Sequence, residues 1–172
     1  FSKIKRFDNR YGLKMRCAAL PTSDKAGRTL YIHAASLGEW RGAIRFLVAM
    51  EKRGLWSLFA FSRALLSSQT ITAHRALLKT PAEQLPSELA CTPLLYPLDS
   101  PAHLERMWRE NGVRIAIAYE SDLWPGLVES SIRCRVPLCW LSARLTPQAA
   151  RRWCYAKSLF RWMVEHCTVV TA

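Results

Sequence analysis

The segment Val113 to Tyr119, VRIAIAY, is a nearly continuous apolar run of strand length, the pattern of a β-strand covered on both faces. Its neighbours repeat the theme. Thr29 to Ala35, the latter part of Leu55 to Ser68, Leu94 to Pro97, Val136 to Leu141 and Thr168 to Ala172 read as further short strands. Helical periodicity fills the intervals. Trp40, Ala43, Ile44, Leu47 and Val48 make one apolar stripe, ended by Gly54. A second helix runs from about Thr72 to Lys79, followed by a loop through Pro81, Pro86 and Pro93. Ser100-Pro101 opens a third, with Leu104, Met107 and Trp108 facing inward, and a fourth carries Leu127, Val128 and Ile132. Thr146-Pro147 caps a long last helix whose stripe is Ala149, Trp153, Ala156, Phe160 and Met163. Strands alternating with helices of this size predict an α/β fold, a doubly wound, Rossmann-like parallel sheet. The whole of residues 1–172 is expected to form one domain, with residues 1–28 a basic lead-in.

Lys and Arg exceed Asp and Glu by 25 − 13 = 12, which favours a polyanionic partner: nucleic acid, an anionic membrane face or a phosphorylated glycolipid. Nucleic acid is not expected, because the aromatics fall mostly on the predicted buried stripes and do not interleave with the basic residues. The six cysteines form no CxxC pair and no zinc spacing with the histidines, so reduced, mostly buried thiols are expected. No run of 18 apolar residues is present to span a bilayer. HExxH, nucleophile-elbow and Walker signatures are absent from the sequence, which leaves metalloprotease, esterase and P-loop chemistry without support.

In an open parallel sheet, ligands bind beyond the carboxyl ends of the strands. Ser36 and Glu39 follow the first strand, Thr70 and Thr72 the second, Asp99 the third, Glu120 the fourth, and Ser142 and Arg144 the fifth. Topology therefore predicts that these segments share one rim. Ser36-Leu37-Gly38-Glu39 reads in two ways. It is a capping box with Glu39 reaching back. It is also a carboxylate base at a crevice, kept ionised by a helix N-terminus, with Gly38 permitting close approach of a substrate. Glu120 is a helix cap or a crevice group. Trp124, before Pro125, reads as packing at a helix start ahead of a sugar-stacking platform. Arg144 is a solvated loop charge or a grip for a phosphate or carboxylate. Arg151, Arg152, Lys157 and Arg161 lie off the last helix's stripe; with Lys3, Lys5, Arg6 and Arg10 they form a solvated face or rest on anionic headgroups. His33 reads as a satisfied core histidine.

Ile32 to Glu39, IHAASLGE, resembles the His-x-x-Ser-x-Gly-Glu segment of the Kdo (3-deoxy-D-manno-octulosonic acid) transferases. Glu120 to Pro125 is similar to their Glu-Ser/Thr-Glu-Leu-Trp-Pro motif, and Ser142 to Thr146 to their Asn-Ala-Arg-Leu/Met-Ser stretch. Pro97-Leu98-Asp99, Arg10-Tyr11-Gly12 and Ser68 to Thr72 match shorter segments, in order, from about Arg6 to Ala172. The resemblance covers the N-terminal, acceptor-side half of a two-domain GT-B glycosyltransferase. It implies inverting transfer of Kdo from CMP-Kdo to a hydroxyl of the lipid A precursor, in lipopolysaccharide biosynthesis, at the cytoplasmic face of the bacterial inner membrane. Glu39 would be the general base; Ser36, Gly38, Thr70, Thr72, Glu120, Ser142 and Arg144 would bind substrate. No metal or cofactor is implied. A C-terminal donor-binding domain and an N-terminal membrane anchor, both usual in the family, are expected to be missing here, and the chain alone is expected to be inactive. Asp122, Gln69, Ser142 and Gly126 depart from the family pattern. Gln69 stands for a glycine and is awkward if that turn needs a positive φ; Ser142 and Gly126 each stand for an asparagine. The alternatives are a basic module binding anionic membrane or nucleic acid, and a different GT-B glycosyltransferase.

Overall fold

A computed structural model describes residues 28–97, 99–121 and 123–172. The basic lead-in up to residue 27, including Arg10-Tyr11-Gly12 and Cys17, lies outside the described residues, as do Leu98 and Asp122. The strands are β1 (Arg28–Ala34), β2 (Phe61–Ser68), β3 (Ala90–Leu95), β4 (Val113–Tyr119), β5 (Leu138–Leu141) and β6 (Val169–Val170). The helices are α1 (Leu37–Lys52), α2 (Leu55–Leu58), α3 (Ile71–Leu78), α4 (Pro101–Glu110), α5 (Pro125–Cys134), α6 (Pro147–Trp153) and α7 (Lys157–Glu165). All strands pair in parallel in one six-stranded sheet of order β3-β2-β1-β4-β5-β6. This is the expected Rossmann-like sheet.

The two faces of β1 explain why it is buried from Thr29 to Ala34. Leu30 and Ile32 pack with Trp40, Ala43 and Leu47 of α1 on one face, whereas Tyr31 meets Trp108 of α4 on the other, ring centroids 5.2 Å apart. A buried side chain of this size contributes about 1.5–3 kcal/mol, so neither face tolerates a polar residue without a partner. His33 has one: its Nδ1 lies 3.1 Å from Ser67 Oγ, and its ring rests 4.3 Å from that of Tyr96. Among the described residues, no helix is long and apolar enough to cross a membrane.

Several elements differ from the periodicity in their bounds or burial. β3 starts at Ala90, earlier than Leu94, and takes in Pro93. An edge strand allows this, because proline's missing N–H removes no ladder bond on the open side. β5 starts at Leu138, two residues after Val136. Ile132 is 43% exposed, since α5 turns Leu127, Val128, Ser130 and Ser131 inward. The expected long last helix is broken: α6 gives way to a 3-10 turn at Cys154–Ala156, and Ala156 leaves helical geometry at φ −130°, ψ 44° before α7. Only Met163 of its stripe is fully buried, while Trp153 and Phe160 are half-buried. The described cysteines are unpaired, as expected, but they are half-buried or, at Cys154, exposed.

Candidate active site

The strand order reverses between β1 and β4, and the helices that follow these strands cover opposite faces of the sheet. A crevice opens where such helices diverge. Glu39, in the first turn of α1, and Ser121, just past β4, meet there.

The capping contacts of the Ser36 segment are present. Ser36 is the N-cap of α1, and its Oγ accepts from the Glu39 N–H at 3.3 Å. Glu39 reaches back as a capping-box glutamate does, but one residue beyond the cap: the Ala35 N–H donates to its Oε2 at 2.7 Å. Ser121 Oγ donates to its Oε1 at 2.7 Å. The carboxylate therefore does not project freely into the crevice; Glu39 is 9% exposed, folded against the rim. A carboxylate has about four lone-pair sites, so these two bonds leave acceptor capacity on each oxygen. Gly38 is exposed beside it.

Glu120 adopts φ 59°, in the left-handed region unusual for a side chain of this size. Its N–H donates to Leu141 O at 2.9 Å, while its carbonyl accepts from Arg144 N at 3.2 Å and Trp140 Nε1 at 2.7 Å. The ends of β4 and β5 are thus stitched together through Glu120. Ser142 is also left-handed, φ 50°, with its N–H on Thr171 Oγ1 at 3.0 Å. Arg144 is exposed, so its guanidinium is open to an anion.

On the other flank, Thr70 caps α3 by accepting from Ala73 N at 3.2 Å, and Thr72 is exposed on the same turn. Both lie at the rim after β2, and neither bonds to Glu39. Gln69 does not have a positive φ, so that turn makes no demand for glycine. Asp99, left-handed at φ 44°, accepts from Tyr96 Oη at 2.7 Å and from Gly126 N at 3.0 Å. A Cβ at Gly126 would lie 2.5 Å from Asp99 Oδ1 and 2.8 Å from its carbonyl oxygen. Glycine permits that close approach, and any side chain there would force Asp99 to shift.

Ser121, the partner of Glu39, is a site residue that the sequence motif alone does not single out. Its signal is positional: two residues past an apolar strand, beside the switch point. Arg152 is exposed, and Trp153 is half-buried against Phe160, as the helical stripe predicts. They also line, with Asp99, Ser121, Leu123 and Trp124, a groove of about 460 Å³. Trp124 also packs on Tyr96, rings near-parallel with centroids 6.2 Å apart, as the packing reading required.

Fold and rim together define a Rossmann-like α/β domain that brings Glu39 and Ser121 together at the sheet's switch point, where ligands bind in open sheets of this kind. Residues 5–172 match the family model of the N-terminal glycosyltransferase domain described as 3-deoxy-D-manno-octulosonic-acid transferase (kdotransferase), and the chain belongs to that family. It is similar to a probable mitochondrial 3-deoxy-D-manno-octulosonic acid transferase of Arabidopsis thaliana, 28% identical over 130 residues, covering 74% of this chain and 26% of the relative. It is also similar to the 3-deoxy-D-manno-octulosonic acid transferase of Rickettsia conorii, 28% identical over 152 residues, covering 88% of this chain and 30% of the relative. The chain thus spans less than a third of the length of these curated relatives.

Proposed function

We propose that this chain is the acceptor-side portion of an inverting glycosyltransferase that moves Kdo from CMP-Kdo to a sugar hydroxyl of the lipid A precursor in lipopolysaccharide biosynthesis. Family membership supports the reaction class. The observation that carries the site is the Glu39 carboxylate, pinned at the switch point by the Ala35 N–H and Ser121 Oγ, with lone pairs to spare.

In this reading the acceptor hydroxyl displaces the Ser121 hydroxyl from Glu39 Oε1. Its oxygen attacks the anomeric carbon of Kdo while its proton passes to the carboxylate. The bond from that carbon to the CMP phosphate oxygen breaks, and CMP leaves with the electron pair. The donor is held mainly by a second domain. Arg144, exposed at the same rim, meets an acidic group of either substrate. Arg151, Lys157 and Arg161, all exposed on α6 and α7, face the anionic cytoplasmic surface of the inner membrane.

The test is Glu39→Ala in the protein that carries this chain. A base predicts a loss of Kdo transfer of about 10²- to 10⁴-fold in a folded protein. Near-normal turnover, with only about 1 kcal/mol of lost stability, leaves Glu39 as a cap and no more.

A further inference from the structure

The groove of about 460 Å³ running from Ser121 to α6 is unassigned by the reading above, and its size falls within the roughly 300–1,000 Å³ range of small-molecule sites. Its lining combines two indoles, Trp124 and Trp153, with the guanidinium of Arg152. Trp153 is only half-buried although it packs against Phe160 at 5.3 Å, so apolar surface remains open to the groove. Arg152 is exposed and makes no ion pair among the described residues. Asp99, the carboxylate at the groove wall, already accepts from Tyr96 Oη and Gly126 N through Oδ1, which commits that oxygen to the fold. Ser121, whose hydroxyl donates to Glu39, also lines the groove.

We propose that this groove is the subsite for a phosphorylated sugar unit of the acceptor, with the apolar face of the sugar ring packed on Trp124 and Trp153 and its phosphate paired with Arg152. The inference rests on Glu39 being the base. The acceptor is the substrate whose hydroxyl must meet that base, and Ser121 joins the groove to it. Indoles supply large apolar area to a sugar's C–H face, and a guanidinium supplies paired donors to a phosphate. Arg152 and Trp153 thereby become specificity-determining residues.

The test measures acceptor and donor KM and kcat in the protein that carries this chain, using the lipid A precursor and its phosphatase-treated form. Arg152→Gln is expected to raise acceptor KM about tenfold to a hundredfold, with kcat and donor KM within twofold. That difference disappears on the dephosphorylated acceptor. Trp153→Leu raises acceptor KM on both forms, and Trp153→Phe restores most of it. Lys79→Gln, which removes an exposed charge at the end of α3, leaves acceptor KM unchanged. An unchanged acceptor KM in Arg152→Gln, a rise in donor KM instead, or an equal rise in Lys79→Gln overturns the proposal. Equilibrium binding of the precursor to the Glu39→Gln variant without donor separates the two readings. If binding still depends on Arg152 and Trp153 while no Kdo transfer is found in the wild type, the groove stands and the reaction assignment falls. Binding indifferent to both residues, with transfer intact, sinks the groove alone.

Discussion

Ser121 Oγ and Glu39 Oε1 lie 2.7 Å apart although 82 residues separate them in sequence, so one hydrogen bond ties the end of β4 to the start of α1 across the switch point. Removing the hydroxyl tests whether this bond holds the carboxylate or carries the proton. Ser121→Ala is expected to cost about 0.5–1.5 kcal/mol of stability in urea unfolding. If the acceptor hydroxyl takes the serine's place on Glu39, turnover falls less than tenfold, against about 10²- to 10⁴-fold for Glu39→Gln. An equal loss in both variants would make Ser121 an obligatory relay.

Gly126 sits against Asp99 with no room for a methyl group, the intended Cβ meeting both a fixed side-chain oxygen and a backbone carbonyl. Gly126→Ala must push the Asp99 loop away and break its bond to the α5 N-terminus. The expected loss is about 1–3 kcal/mol, read as a lowered urea midpoint with an unchanged m-value. Retained stability would mean that the Asp99 loop has another packing of equal energy.

Ser142 holds a left-handed backbone, φ 50°, a region that asparagine tolerates better than serine. Ser142→Asn is therefore expected to raise stability by about 0.5 kcal/mol. Ser142→Gly relieves the same strain but gains less, because glycine adds entropy to the unfolded chain. Thermal melts of the three proteins give the order Asn, Gly, Ser; serine ranking first would refute the strain argument.

Burial pushes the imidazole of His74 below its ordinary 6.5, against an opposing hydrogen bond with the Leu94 backbone. The folded state thus binds fewer protons than the unfolded state in the window below pH 6.5. This contribution to stability is complete above that pH and is lost as pH falls from there through the depressed folded-state value. Chemical unfolding at pH 7.5, 6.5 and 5.5 is expected to show falling stability, with a shallower fall in His74→Gln. Parallel slopes in the two proteins would contradict it.

Cysteine reactivity should follow burial. The Cys91 thiol is pushed up to about 11, chiefly by burial and then by the Glu51 carboxylate. Burial does the same to Cys167, also to about 11, with Cys139 adding to it. Cys154 is exposed. Brief iodoacetamide treatment at neutral pH, followed by peptide mapping, is expected to label Cys154 well ahead of Cys91 and Cys167, because the thiolate is the nucleophile. Faster labelling of Cys91 would show that α1 and β3 open readily.

Hydrophobic periodicity determined the strands and helices at the centre of this fold. Period-2 and period-3.6 burial leave a local record, and β1 and β4, buried on both faces, left the plainest one. The same alternation placed Ser36, Glu39, Glu120 and Arg144 on one rim, since parallel strands all end on the same edge. Sequence also supplied both roles for the Ser36 segment without ranking them by geometry. The tertiary structure decided what depends on approach between distant segments. It put Ser121 on Glu39, allowed Pro93 into β3 by making β3 an edge, and brought Asp99 against Gly126 too closely for a Cβ without a shift. It also broke the last helix at Ala156 and turned Arg152 and Trp153 toward a groove. A helical stripe continues smoothly through such a break in sequence, because periodicity records which side is apolar and not which neighbour will cover it.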